Sequence, residues 1–282
     1  MSIDIKGLSL TYAKGTPFEV KAVDDISLKI EQGDFLGIIG HTGSGKTTLI
    51  QMIAGLLKPD EGTVFVNDDD INDKGYNRKD LRKAVGVVFQ YPEYQLFEET
   101  VYQDIAFAPK KSGQSEEEQD KAVRKACELL EIDFEEFKDL SPFELSGGQK
   151  RKVAIAGVLA VDPDILILDE PVAGLDPYGR KSLMALITNL NKQGKTIIMI
   201  THSMDDLALY AKRVVVMKDG KIAHDSTPRE VFSKADELIK MSLDIPEASK
   251  MVKSLNEKGK DVPGDIITID QLYDFLLEKL DK

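Results

Sequence analysis

Apolar positions along the chain fall into two periods. Apolar runs lie at 35–39, then 63–66, 85–89, 165–168, 196–200 and 213–217, and four of these are apolar on nearly every residue. Strands buried on both faces read this way. Ahead of them, Ile3, Ile5 and residues 8–10, then 22–23 and 26–30, give further β-like pieces around a turn-rich stretch at 14–17. Residues 47–57 switch to helical spacing through Leu49, Ile50, Ile53 and Leu57. Helical stretches between buried strands predict an α/β fold with a mostly parallel sheet. After the last long run, Asp219-Gly220 is a hairpin signal leading into residues 221–223.

Two regions break this alternation. Residues 112–144 hold eleven acidic and four basic residues, a net −7. Ser115 with Glu118 forms a capping-box pattern that starts a helix running to about Leu130. This region reads as a mainly helical insertion between two strands. Near the end, Thr227 and Glu230 form a second capping box with Pro228 at the first helical position. Residues 253–265 are polar and turn-rich. Asp270 then opens a final helix with Leu272, Phe275, Leu276 and Leu280 on one face. About the last 50 residues form a small appended unit on this reading.

Composition narrows the classes. The 282 residues carry 37 Lys and Arg against 49 Asp and Glu, a formal charge of −12. That balance argues against nucleic-acid binding and against a basic lipid-binding patch. The single cysteine, Cys127, rules out an intrachain disulfide and points to a reducing compartment. Residues 1–10 lack the pattern of a secretory signal, and the longest apolar run, 154–161, is far short of a membrane span.

The chemistry is concentrated in three motifs. Gly40-His41-Thr42-Gly43-Ser44-Gly45-Lys46-Thr47 fits G-x-x-x-x-G-K-[ST], with a strand before it and a helix, beginning at Thr47-Thr48, after it. Glycines let the backbone amides wrap a phosphate, and the helix dipole adds to the same anion. Lys46 is placed to reach the β- and γ-phosphates, and the Thr47 hydroxyl to ligate Mg²⁺. Asp169 and Glu170 end the strand 165–168, at the carboxyl edge where the loop also sits. Asp169 suits Mg²⁺, and Glu170 suits a general base on water. Leu145-Ser146-Gly147-Gly148-Gln149 heads a helix from about Lys150 to Ala160, with Ser146 as N-cap. It offers a second anion site, and one nucleotide is not expected to need both in one chain.

These motifs, in this order, resemble the nucleotide-binding subunits of ATP-binding cassette (ABC) transporters from about Ile3 to Ala223. The resemblance also rests on Gln90 after the strand 85–89, Gly174-Leu175-Asp176, His202 after the strand 196–200, and Tyr12. It implies a P-loop NTPase fold: an ABC ATPase core with an antiparallel β subdomain and an inserted helical subdomain. The domains implied are 1–230, with the helical part at about 91–162, and a C-terminal extension, 231–282, for dimerisation. It implies that Tyr12 stacks on adenine, that Gln90 touches Mg²⁺ and the attacking water, and that His202 bonds the γ-phosphate. Asp176 belongs at a dimer interface, and Ser146 to Gln149 close over ATP held by the opposite chain. His41 is read as a spectator inside the loop and His224 as a surface residue.

Within that class, Phe89-Gln90-Tyr91-Pro92-Glu93-Tyr94-Gln95-Leu96-Phe97 and residues 104–109 resemble the ATPases of energy-coupling factor (ECF) transporters, importers of vitamins and of cobalt or nickel. Residues 140–145 and 154–158 point the same way. Residues 170–177 match the second of two ATPase types, with Val172 where threonine is common. The resemblance implies a heterodimer with a first-type ATPase on a transmembrane coupling subunit, beside substrate-capture membrane subunits. The site would lie at the cytoplasmic membrane face, with Tyr91, Tyr94, Leu96 and Phe97 available for coupling helices. Another importer ATPase for amino acids or metals stays open as the alternative. DNA-repair and translation-associated relatives are disfavoured by the lack of long coiled coils, a second cassette or basic linkers. A non-catalytic scaffold is disfavoured by Glu170 and His202.

Overall fold

The computed structural model describes residues 1–280; the side chain of Leu280, one of the expected apolar positions, lies outside the description. In chain order the first part contains β1 (Ile3–Tyr12), β2 (Val20–Ile30), β3 (Phe35–Gly40), α1 (Lys46–Ile53), β4 (Glu61–Val66), β5 (Asp69–Asp70), α2 (Arg78–Ala84) and β6 (Val85–Val88). The middle is helical: α3 (Val101–Lys111), α4 (Glu116–Leu129), α5 (Phe134–Phe137) and α6 (Gly147–Leu159). Then come β7 (Ile165–Asp169), α7 (Pro177–Lys192), β8 (Thr196–Ile200), α8 (Met204–Tyr210), β9 (Arg213–Lys218) and β10 (Lys221–Ser226). Four helices follow: α9 (Pro228–Phe232), α10 (Ala235–Lys240), α11 (Glu247–Glu257) and α12 (Ile269–Leu280).

The strands form a six-stranded sheet, β10-β9-β3-β8-β7-β6, and a four-stranded antiparallel sheet, β2-β1-β4-β5. In the larger sheet all pairings are parallel except the β9–β10 hairpin. Its apolar runs are explained by two cores. Phe35, Ile39, Leu166, Leu168, Ile197, Met199, Val214 and Val216 face one core with the helical middle and α7. Leu36, Ile38, Ile165, Ile167, Ile198, Ile200, Val215 and Met217 face the other, with α1 and the antiparallel sheet. A strand whose successive side chains enter different cores has no polar face to show.

The helical insertion is laid down by capping. Thr100, Ser115 and Ser146 each form a reciprocal capping box, with Gln103, Glu118 and Gln149. These satisfy orphan amides at the starts of α3, α4 and α6. The acidic excess lies on exposed turns of α4 and α5, so the insertion's charge is carried on a solvated face.

Several details differ from the sequence reading. Helix α1 stops at Ile53, with Gly55 at φ +67° turning the chain, so Leu57 is past its end. The short α2, capped by Asn77, and β5 were not expected. His224 is not a surface residue: its ring is 15 % exposed and links β10 to Glu237 of α10 at 3.0 Å. Toward the C-terminus, Phe232, Leu238, Leu243, Ile245 and Ile267 join the main core. Val252, Val262, Ile266 and Leu272 make a separate small cluster with Phe275 against it. Leu276, expected on the same face, is 39 % exposed.

Candidate active site

The carboxyl edge of the parallel sheet gathers most of the predicted residues. Gly40 ends β3 and the chain enters a tight loop with Gly43 at φ +83° and Gly45 at φ +99°. Both angles lie where side chains with a Cβ are disfavoured. At Gly45 a Cβ would also overlap the Ala22 carbonyl oxygen of β2. The antiparallel sheet is therefore seated directly on this loop. The Gly220 amide donates to the Ser44 carbonyl at 3.2 Å and the Asp24 amide to the Gly220 carbonyl at 2.9 Å, so the β9–β10 turn locks the same corner.

Within the loop Lys46 is buried, and its ammonium donates to the Gly40 carbonyl at 2.6 Å and the His41 carbonyl at 3.0 Å. Burial lowers its pKa, opposed by the nearby Glu170 and Asp169 carboxylates. Ser44 is fully buried beneath it, whereas Thr42 and Thr47 are exposed. His41 bonds its neighbour's backbone and faces Asp219 at 3.5 Å. Tyr12, 43 % exposed at the end of β1, lies 3.3 Å from the Thr48 hydroxyl across the first turn of α1. Its ring thus stands beside the phosphate loop.

Asp169 ends β7, pairing with Ile200 of β8, and Glu170 follows it directly. Burial raises the pKa of both carboxyls; Lys46 and His202 partly offset this at Asp169. At Glu170 the offset comes first from His202 and its backbone amide. Glu170 has φ +50°, unusual for a residue with a long side chain. Its amide donates to the Ile200 carbonyl at 2.9 Å, which fixes the turn against β8. The His202 ring, 64 % exposed, reaches within 3.5 Å of the Glu170 carboxylate, which is only 13 % exposed. Arg180 of α7 holds the adjacent Ser203 hydroxyl at 2.6 Å and the buried Asp206 at 2.8 Å. Gln90 is exposed just after β6, and Tyr91 beside it adopts φ +56°. That turn exposes Tyr91, Tyr94 and Phe97, while Leu96 packs inward. Val172 packs against the core as an apolar residue should.

Ser146 to Gln149 are not part of this gathering. All four are exposed at the start of α6, where Ser146 and Gln149 bond each other. Ser146, Gly148 and Gln149 line a cleft of about 1440 Å³ together with Gly174 and Asp176, and no residue of 40–47 reaches it. Asp176 caps α7 by accepting from the Gly179 amide at 2.6 Å. Arg151 was not singled out from the sequence. It is 5 % exposed and donates to the backbone carbonyls of Glu170, Pro171 and Ala173. In the run Lys150-Arg151-Lys152 nothing marks it out from its neighbours.

A strand, a glycine-wrapped loop, a buried lysine and paired carboxylates at the end of the next strand but one in the sheet define a nucleotide-hydrolysing P-loop ATPase. The family model for the ABC transporter matches residues 23–173. Similar proteins refine this. The energy-coupling factor transporter ATP-binding protein EcfA2 of Clostridioides difficile is 53 % identical over 280 residues, covering 99 % of this chain and 97 % of that protein. EcfA2 of Clostridium acetobutylicum is 51 % identical over 282 residues, covering 100 % and 99 %. Among solved structures, cbiO1 from Clostridium perfringens, part of the ABC transporter complex cbiONQ, is 38 % identical with TM-score 0.71, covering 84 % of this chain and 93 % of that one. The cassette MJ0796, a dimer bound to ADP and Pi in a post-hydrolysis state, is 30 % identical with TM-score 0.70, covering 80 % and 98 %. The chain belongs to the ABC transporter ATPases and, among them, to the EcfA2 ATP-binding proteins of energy-coupling factor transporters. It is an ATPase whose hydrolysis is coupled to transport. Among the described residues no helix is long and apolar enough to cross a membrane.

Proposed function

We propose that this chain hydrolyses ATP in composite sites shared with a second, related ATPase, and transmits closure of that pair to a membrane coupling subunit. The observation that carries this reading is the separation of two anion-binding helix starts. The loop at Gly40–Lys46 and the start of α6 face different regions of one chain, and each is preorganised. Two chains placed head to tail would let Ser146–Gln149 of one cover the γ-phosphate held by the loop of the other. Asp176 lies beside that segment, at the same prospective interface.

Glu170 acts as the general base. Its partial burial raises its proton affinity above that of an ordinary glutamate, which favours proton uptake from water. The water oxygen attacks the γ-phosphorus while its proton passes to the Glu170 carboxylate. The bond to the β,γ-bridging oxygen breaks, and ADP departs with that electron pair. His202 orients the γ-phosphate and Glu170 together, Lys46 exchanges its loop carbonyls for phosphate oxygens, and Tyr12 stacks on adenine.

The donor set also fits Mg²⁺. Thr47 offers an exposed hydroxyl, Asp169 a carboxylate at the strand end and Gln90 an amide oxygen, all hard oxygen ligands. Among the described residues no cluster of three or more His, Cys, Asp or Glu could hold a metal alone, consistent with an ion that shares phosphate oxygens. Bound there, Mg²⁺ supplies charge neutralisation to the phosphates.

Tyr91, Tyr94 and Phe97 offer a docking surface for the coupling subunit, beside Gln90. The cassette occupies residues 1–230 with its helical part at about 91–162, and 231–282 serve dimerisation. The assembly sits at the cytoplasmic face of the membrane, with the solute captured by separate membrane subunits and drawn from vitamins or transition-metal ions. Glu170→Gln should retain ATP binding and lose most turnover, whereas Lys46→Ala should weaken binding itself. The isolated chain should be a poor ATPase, and rapid, concentration-independent turnover by a monomer would overturn the composite site.

A further inference from the structure

Arg151 stands on the second turn of α6, the helix that begins with Ser146–Gln149. Its guanidinium donates to three backbone carbonyls of one turn: Ala173 at 2.7 Å, Glu170 at 3.3 Å and Pro171. A buried guanidinium is ordinarily balanced by a carboxylate. Among the described residues Arg151 forms no ion pair within 4.0 Å, and its Nε has no partner. One oxygen of Glu93 is likewise buried and unpartnered. Glu93 belongs to the turn after Gln90 that packs on α6, and it is the foremost charge acting on the Arg151 guanidinium. Glu170 itself has a φ of +50°, and its buried Oε1 makes no hydrogen bond and meets only the His202 ring, at 3.5 Å. Its backbone therefore needs support from outside the turn.

We propose that Arg151 is the positioning residue that aims the Glu170 carboxylate, tying its direction to α6 and, through Glu93, to the segment after Gln90. Three donors in a rigid fork hold carbonyls 170, 171 and 173 in one orientation. A shift of α6 then moves the turn that carries Glu170. This arrangement rests on Glu170 acting as the base. The turn responds to two surfaces at once: the start of α6, offered to a partner ATPase, and the aromatic segment 91–97, offered to the membrane subunit.

The test is steady-state hydrolysis by the full chain purified in its membrane complex, comparing wild type, Arg151→Lys, Glu93→Gln, their double variant and Glu170→Gln. Lysine keeps the charge and most of the packing but cannot span three carbonyls. The expected result for Arg151→Lys is a kcat lowered about tenfold with the KM for ATP within about twofold of wild type. A role in stability alone would leave the kcat of the folded fraction unchanged. Glu93→Gln should lower kcat by about threefold, and the double variant should be no slower than Arg151→Lys alone. Wild-type kcat in Arg151→Lys, or losses that multiply in the double variant, would overturn the proposal. Glu170→Gln separates the two ideas: if it abolishes turnover while Arg151→Lys keeps wild-type kcat, only the positioning role fails, and if it turns over normally, the assignment of the base fails.

Discussion

Replacing Gly45 and Gly43 by alanine should give unequal losses, although the two lie two residues apart in one loop. Both have positive φ, +99° and +83°, so each alanine carries a left-handed backbone cost of about 1–2 kcal/mol. At Gly43 nothing lies within 4 Å of the added Cβ. At Gly45 the Cβ overlaps the Ala22 carbonyl oxygen, sits 3.3 Å from its carbon and 3.3 Å from the Met217 methyl. Those neighbours are a strand backbone and a core side chain, and Ala22 cannot move without lifting β2 from the loop. Overpacking of that kind adds about 1–3 kcal/mol. Gly45→Ala should thus cost about 2–5 kcal/mol in all, against about 1–2 for Gly43→Ala. For a chain of this size each kcal/mol lowers Tm by about 2–4 °C. Thermal unfolding by circular dichroism, without nucleotide and at fixed protein concentration, reads the difference. Equal shifts, or a larger one for Gly43→Ala, would refute the claim that this loop is the seat of the antiparallel sheet.

Other outcomes follow from burial. Burial raises the pKa of Glu170 above its ordinary value of 4.5, so the folded state holds this proton more tightly than the unfolded chain. Stability should fall as pH rises through that raised pKa and stay lower at neutral pH. Glu170→Gln should accordingly unfold at a higher temperature than wild type at pH 7.5, with the advantage fading as pH falls toward 4.5; no advantage at pH 7.5 would contradict the burial argument. Cys127 is 2 % exposed, and burial pushes its thiol pKa up to about 11. It should resist a disulfide-exchange reagent in the native protein at pH 8 and react on unfolding, and rapid native labelling would be inconsistent with its placement.

The parts of the fold that the sequence exposes most clearly are those where one physical requirement dictates residue type. The phosphate loop needs glycine at φ +83° and +99°, and a strand between two cores needs apolar residues at every position. The capping boxes at Ser115 and Thr227 and the N-cap at Ser146 are local and appear where they were expected. What escapes is decided by tertiary contact. Helix α2 buries only Leu81 and Ala84, too few to give a period. The positive φ at Glu170 and Tyr91 has no glycine to announce it. Arg151 and His224 look like surface residues until packing places them under a turn and against a helix. The positions of the candidate site could be named from motifs. That the loop and the start of α6 stay apart in one chain required the folded arrangement.

The hold of Lys46 on the carbonyls of Gly40 and His41 bears on the timing of the catalytic cycle. The ammonium already has oxygen partners five and six residues back in its own loop. On the proposed role of Lys46, arrival of a phosphate would be an exchange of partners, and departure of ADP would hand the ammonium back to the same two oxygens. The cradle would then keep its shape between one turnover and the next, with no refolding interval. In the composite site proposed above, capture of the next ATP would wait on separation of the two subunits and on nucleotide supply rather than on rebuilding this loop.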